Sequence, residues 1–460
     1  MKRYEAYKPS GTAWFTSVPE PWNILKINAL FSQRKEKVSD KDFAPISVTK
    51  NGIMPQLETV AKTDDGDNRK KVCVGDFVIN SRSDRKGSCG ISSFDGSVSL
   101  INIVLQPRQE LNGRYAHYLL RSQPFSEEFY RNGRGIVADL WTTRYSEMKN
   151  ILLPVPPRDE QDQIVRYLDW QVSKINRLIA AKRKRIILLK EWKQRRITEV
   201  VTHGITPNVP HRDSGIAWIG AIPAHWHCVA LKRCAMVKSG ITLGKQYPVG
   251  TQLVSVPYLR VANVQDGFVS IETVTNLNVT PEEATQYALP KGCVLMTEGG
   301  DRDKLGRGCV WNSEIENCIH QNHIFAVTVN DKLLFNKWLE YVSACDIGRV
   351  YFDITAIKTT NLACTNATKV MTFPIPLPPR DEQERITNEL NRITCKFNDA
   401  RINLEKQIER LQELRTRLIS DAVTGQIDVR GIEVPDYEHY DEAPENATEE
   451  SSDSDYDTEE

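Results

Sequence analysis

Residue types able to do chemistry fall into three groups along this 460-residue chain. The stretch "GITLGKQ" (240–246) has the glycines and lysine of a phosphate-binding loop. Its spacing is G-x3-G-K-Q, whereas such a loop needs G-x4-G-K and then Ser or Thr, whose hydroxyl holds the metal. It is not read as a nucleotide site. Two further stretches, "HWHC" with Cys234 and "CIHQNH" (318–323), gather His225, His227, Cys228, Cys234, Cys318, His320 and His323. Structural zinc sites use paired ligands at short spacing, and neither group has that pattern, so no metal is assigned. Gln321, Asn322 and His323 are read as a polar turn before a strand, able to contact a base. Asn-Pro-Pro-Tyr, G-x-S-x-G and H-E-x-x-H do not occur, and with them go amino methylation at a target base, acyl transfer and zinc hydrolysis of the usual kinds.

The third group is basic. "VGDFVINSRSDRKGSCG" (74–90) and "KGCVLMTEGGDRDKLGRGCV" (291–310) each read as a strand entering a loop dense in Arg, Lys, Asp and Gly. Arg and Lys bind phosphates or guanine edges, Asp and Asn orient them or contact other bases, and glycine admits close backbone approach. The candidates for DNA contact are Ser81, Arg82, Arg85 and Lys86, then Thr297, Arg302, Lys304 and Arg307, with Gln321, Asn322 and His323. The competing reading is a solvated hairpin end; the appearance of such loops at matching places in two halves favours function. "AAKRKRIILLKEWKQRR" (180–196) has eight basic residues and one acid. It is read as a solvated helix face whose stems cover apolar surface, ahead of a phosphate-facing stripe.

Those halves are visible in the sequence. "PVPPRDEQDQI" (154–164) returns as "PIPLPPRDEQERI" (374–386), with Pro156–Gln161 matching Pro378–Gln383 at an offset of 222. "SGTAWFTSVPEPW" (10–22) returns as "SGIAWIGAIPAHW" (214–226) at an offset of 204. The order is a mixed module, a long helix, a second mixed module, a second long helix and a tail. After each "PPRDEQ", apolar residues recur at three- and four-residue steps: Ile164, Leu168, Ile175, Leu178, Ile186, Leu189, Ile197 and Val200, ending near Gly204; then Ile386, Leu390, Ile393, Phe397, Leu404, Ile408, Leu411 and Leu418, without Gly until Gly425. That is a coiled-coil-like seam, and two rods joined by a globular module should pair antiparallel. In the modules, "SVSLINIVL" (97–105) and "HIFAVTV" (323–329) read as strands, and "YAHYLLRSQPFSEEFYRN" and "FNKWLEYVSACD" as short helices. The expected fold class is α+β: two mixed α/β modules in tandem, each followed by a long helix, the helices paired as an antiparallel coiled coil.

Composition adds bounds. The length exceeds what one core usually serves, no apolar run is long enough to span a membrane, and the N-terminus lacks a secretory core, so a cytoplasmic protein with no membrane contact is expected. Ten singly spaced cysteines fit reduced thiols. The formal charge of zero hides a division: residues 431–460 hold 13 acidic and no basic residues, leaving 47 acidic against 60 basic elsewhere, a body of net +13. The tail is expected to be disordered. It either competes with phosphate for the basic body or only aids solubility.

The doubled "P-x-P-P-R-D-E-Q" before a long helix, and the Ser-Gly…Trp…Pro…Trp module starts, resemble the specificity (S) subunits of type I restriction–modification systems. "LMTEGGDRDKLGRG" with "CIHQNHIF", and "FVINSRSDRKGSCGIS" with "EEFYRNGRGIVADLWTTRYSEMKNI", look like two versions of their target-recognition domain; the likeness covers about residues 10–430. The resemblance implies target-recognition domains over 1–153 and 206–373, spacer helices over 154–205 and 374–430, and an acidic tail over 431–460 that the family does not require. It implies a chain that is not catalytic alone: each domain reads one half of a bipartite double-stranded DNA site, while the helices set the spacer and dock two methyltransferase subunits. Restriction/translocase subunits complete the complex, a host defence against foreign DNA. No cofactor is expected in this chain; S-adenosylmethionine, ATP and Mg2+ would act in the partner subunits. The alternatives are a single-chain restriction or methylation enzyme, opposed by the missing motifs and the lack of unassigned chain, and a coiled-coil scaffold without nucleic acid.

Overall fold

The repeated "PPRDEQ" stands where each long helix begins. The computed structural model describes residues 2–56, 66–82, 85–108, 110–135, 141–300, 305–358 and 363–441. In it Pro157 and Pro379 lead into helices Arg158–His203 and Arg380–Val423, whose first turns carry Asp159 and Glu160, and Asp381 and Glu382. Proline sets the entry, and the carboxylates suit the positive end of the helix dipole.

The glutamine that follows is almost wholly buried in both copies, Gln161 at 1% and Gln383 at 0% exposure. Gln161 Oε1 accepts from the main-chain N–H of Asn112 (2.8 Å), and its Nε2 donates to Pro156 O (3.0 Å). Gln383 Oε1 accepts from the N–H of Phe335 (2.8 Å), and its Nε2 donates to Pro378 O (2.8 Å) and Leu333 O (2.9 Å). Asn112 and Phe335 are the N-caps of the short helices Gly113–Arg121 and Asn336–Ala344. Each amide therefore ties a long helix to a short one. A second tie runs beside it: Tyr115 OH donates to Pro154 O (3.0 Å), and Trp338 Nε1 donates to Pro376 O (2.9 Å).

Both long helices end at a glycine in the left-handed region, Gly204 at φ 74° and Gly425 at φ 75°. At the second, Gly425 N donates to Ala422 O and Gln426 N to Asp421 O, the paired bonds of a Schellman end. Gly425 lies against Pro19 and Trp22, and Gly204 against Trp226. Trp22 and Trp226 are the final tryptophans of the two repeated module starts, both fully buried.

The short helices cover four-stranded antiparallel sheets. In the first module the strand order is Cys89–Ile91, Phe77–Asn80, Asn102–Pro107, Phe31–Gln33; in the second it is Gly308–Val310, Val294–Thr297, Ile324–Val329, Ala235–Ser239. A smaller antiparallel pair joins each module's start to the approach to its long helix: Asn23–Lys26 with Leu152–Val155, and His227–Ala230 with Pro374–Leu377. The stretch 97–105, expected as one strand, is two: Gly96–Val98 and Asn102–Pro107 lie in different sheets, separated by a turn in which Asn102 N donates to Ser99 O. After Asn336–Ala344 a further helix, Asp346–Thr355, matches Gln123–Arg131 of the first module.

The chain divides into two compact units, one comprising residues up to Arg183 with those from Leu404 on, the other Lys184–Asn403. Each contains one mixed module and part of both long helices. Within the first, Arg415 bonds Asn176 (2.8 Å) and Lys182 bonds Gln407 (2.6 Å), so the helices run antiparallel. Within the second, the Lys193 ammonium lies 5.1 Å from the centre of the Phe397 ring. The apolar seam is deep near the modules, with Ile164, Leu168, Ile386 and Leu390 at 0% exposure. Farther along, Leu178 of the seam is 44% exposed and Ile186 and Leu189 are partly buried, while outside the seam Ile187, Leu188 and Trp192 exceed 50%. The basic stretch 180–196 thus does not cover its apolar residues as expected. Among the described residues no helix is long and apolar enough to cross a membrane. The tail, expected to be disordered from residue 431, is held as far as Asp441 by bonds to the first long helix; residues 442–460 lie outside the described residues.

Two outcomes follow. A Cβ on Gly425 would come within 2.3 Å of Pro19, while one on Gly204 meets only the edge of Trp226 at 3.2 Å. Gly204→Ala should cost about 1 kcal/mol for its positive φ alone, and Gly425→Ala clearly more, read as unfolding midpoints in urea. The second concerns His320, fully buried in the strand Ile319–His320. Burial drives its pKa down from 6.5 to about 4, so the stability carried by the neutral ring is complete above pH 6.5 and is lost as pH falls toward 4. Moving from pH 7 to pH 5 should cost the native chain about 2 kcal/mol more than a His320→Leu chain, measured by urea titration at both values.

Candidate nucleic-acid interface

In the first module the candidate loop is the turn between strands Phe77–Asn80 and Cys89–Ile91. Asn80 N donates to Ser88 O (2.9 Å), Ser88 N to Arg85 O (3.0 Å) and Arg85 N to Arg82 O (3.3 Å), closing the hairpin. Tyr130, from the helix Gln123–Arg131, reaches beneath it: its hydroxyl donates to Arg85 O (3.3 Å), and the Lys86 ammonium lies 5.9 Å from its ring centre. Arg82, Arg85 and Lys86 are exposed. Ser81 is not, at 5% exposure, and its hydroxyl donates to Ile101 O (2.5 Å). Ser81 holds the loop rather than facing solvent.

A second loop is laced to the first. Arg134 and Thr142 exchange main-chain bonds of 3.0 Å, and Thr143 N donates to Ser81 O at the same distance. Trp141 Nε1 donates to Tyr130 O (2.7 Å), and Gly133 is needed there because a Cβ would meet that indole nitrogen at 2.3 Å. This arrangement brings the exposed Arg134 and Arg144 to the same part of the module as Arg82, Arg85 and Lys86. Neither arginine was singled out from sequence. The signal was "NGR…WTTR", but only the pairing between distant loops shows where it goes.

In the second module the corresponding hairpin joins Val294–Thr297 to Gly308–Val310. Thr297 is 4% exposed, its N–H donating to Arg307 O (3.1 Å) and its carbonyl accepting from Gly306 N (3.2 Å). It is hairpin frame, like Ser81. Arg302 and Lys304 lie outside the described residues, and Arg307 is partly exposed. Beside the hairpin is the turn 321–323. Gln321 Oε1 accepts from Val261 N (3.3 Å), and Asn322 N donates to Ile241 O (3.0 Å). The His323 ring is about half exposed, with Nδ1 2.5 Å from Glu298 Oε2. Glu298, missed in the sequence, fixes that imidazole and adds an acceptor; its partner is 25 residues away, so no local motif could reveal it.

The remaining chemical candidates are occupied elsewhere. Lys245 of "GITLGKQ" pairs with Glu283, which also accepts from Tyr247 OH (2.6 Å). The Lys245 bond, then that of Tyr247, holds the Glu283 carboxyl down at about 2. The lysine has a carboxylate partner where a phosphate loop would keep it for the ligand. Gly240 of the same stretch is packed on the His320 carbonyl, where a Cβ would sit at 1.9 Å. His225 Nε2 is 2.9 Å from Glu382 Oε2, which also accepts from Trp226 Nε1 (3.2 Å). Cys234 and Cys318 are buried, and among the described residues no three His, Cys, Asp or Glu are placed to hold a metal ion.

No family model matches the sequence. The chain is 20% identical over 373 residues to the "Type I restriction enzyme StySPI specificity subunit" of Salmonella potsdam, covering 78% of this chain and 76% of that one. It is 23% identical over 432 residues to the "Type I restriction enzyme MjaVIII specificity subunit" of Methanocaldococcus jannaschii, covering 90% of this chain and 95% of that one. In three dimensions it matches a solved chain described as "Structural basis underlying complex assembly and conformational transition of the type I R-M system", with a TM-score of 0.64 and 17% identity over 89% of this chain and 99% of the other. The fold is shared with that structure, and the curated proteins this chain matches along most of its length are specificity subunits of type I restriction enzymes.

Proposed function

We propose that this chain is the DNA-reading subunit of a type I restriction–modification complex and performs no chemistry alone. Each mixed module is a target-recognition domain for one half of a bipartite site in double-stranded DNA. The two long helices pair as an antiparallel coiled coil, set the unread spacer and dock two methyltransferase subunits, to which restriction/translocase subunits add. S-adenosylmethionine, ATP and Mg2+ act in those partners. The observation that carries this reading is the repetition: two sheets of one strand order, each with a hairpin at the matching edge, each fixed to a long helix by the same buried glutamine. The exposed Ile187, Leu188 and Trp192 of the first long helix support docking, since large apolar side chains left in solvent together on one stretch are what a partner would cover.

Recognition is placed on the laced loops of the first module, where Arg82, Arg85, Lys86, Arg134 and Arg144 gather, and around Arg307, Asn322, His323 and Glu298 in the second. Guanidinium groups serve phosphate oxygens or guanine O6 and N7, and a carboxylate serves an exocyclic amine.

Two experiments test this. Exchanging residues 206–373 for the corresponding module of another specificity subunit should change one half of the methylated motif in host DNA and leave the other; a change in both halves, or in neither, counts against two independent modules. Alanine at Arg134 or Arg82 should weaken duplex binding by the assembled complex by about 1–3 kcal/mol if it reads a base, relaxing one motif position. A phosphate contact would instead weaken all sequences alike and lower the salt slope by about one. Unaltered affinity in both variants would show these loops to be solvated turns.

A further inference from the structure

The chain beyond Arg430 does not leave the body at once. Gln163 Nε2 donates to the carbonyls of Val429 (3.0 Å) and Ile432 (2.7 Å). Ser173 Oγ donates to Glu438 O (3.3 Å) and accepts from Tyr440 N (2.7 Å). Arg177 binds Glu438 twice, at its carbonyl (3.0 Å) and carboxylate (3.1 Å). Ile432 and Val434 pack against the core of this unit. Gln163, Ser173 and Arg177, ten and four residues apart, share one face of the helix. Residues 429–441 form a strap along the first long helix, leaving Ser173 only 2% exposed.

The second repeat supplies an internal control. Across the offset of 222 the inward seam keeps its character: Ile164, Leu168 and Ile175 correspond to Ile386, Leu390 and Phe397, all buried. The strap-facing stripe does not keep it. Gln163, Ser173 and Arg177, which bond the strap, correspond to Arg385, Cys395 and Asp399, all exposed. Asp399, at the position matched to Arg177, would repel the Glu438 carboxylate that Arg177 binds.

We propose that residues 429–441 are a built-in ligand that closes the outer face of the first long helix over 163–177, so that a partner subunit finds this face closed and the equivalent face over 385–399 open. The inference rests on the partner-docking role given to the helices above, and it makes the two partner sites of a duplicated chain unequal.

The native thiol at Cys395 and a Ser173→Cys thiol, in a chain whose strap keeps its Gln163 and Arg177 bonds, probe the two faces at matched positions. In the full chain, maleimide should label position 173 about tenfold or more slowly than Cys395; in a chain ending at Val434 the two rates should agree within about threefold. Arg177→Glu should open the face, and Glu438→Arg in the same chain should close it again, which separates strap loss from misfolding. Titrating the full chain with its methyltransferase subunit should give two dissociation constants about tenfold or more apart, with Cys395 protected by the first copy bound. In the shortened chain the gap should shrink to about threefold. Equal labelling of both thiols in the full chain, or a binding gap that survives truncation, overturns the strap. Failure of either chain to bind the subunit overturns the specificity-subunit reading, and the strap proposal with it.

Discussion

A buried primary amide must satisfy both its oxygen and its nitrogen, and an unmet donor beside it costs about 1–3 kcal/mol. Gln161 and Gln383 meet that demand by joining three things: the Pro-Pro turn, the first turn of a long helix, and the N-cap of a short helix. The order of the rest follows from this junction. The short helices cover the sheets, the sheets end in the hairpins, and the hairpins carry the arginines. Losing the amide would leave the Asn112 or Phe335 N–H unpaired inside the core and loosen a module from its rod together.

Much of this architecture was legible before any coordinates. Proline pairs, acidic first turns, heptad-like spacing and terminal glycines are local signals, so both long helices appear with the ends expected at Gly204 and Gly425. The duplication was also legible, because side chains that make the same bonds in both halves keep the same letters. The turn inside 97–105 was not: a β-branched run interrupted by no Gly or Pro hides it, since Ser99 supplies the turn through its carbonyl rather than through its side chain.

The candidate site was legible in part. Charge pointed to Arg82, Arg85 and Lys86, which are exposed; place in the same loops pointed to Ser81 and Thr297, whose burial depends on strand register. Arg134, Arg144 and Glu298 escaped notice because their significance lies in which loop they meet, a long-range pairing between Ser81 and Thr143 or between Glu298 and His323. The phosphate-loop likeness falls for the same reason: Glu283, 38 residues from Lys245, takes up that lysine.

The glutamine junction has one property that concerns inheritance more than stability. Every module atom that Gln161 and Gln383 hydrogen-bond is main chain: the N–H groups of Asn112 and Phe335 and the carbonyl of Leu333. Main-chain atoms are the same in every sequence, so these bonds read no module side chain, while the tie beside them asks only for a donor, Tyr115 in one module and Trp338 in the other. Under the DNA-reading role proposed above, a module exchanged at "PPRDEQ" would bring its own preference to unchanged glutamine bonds.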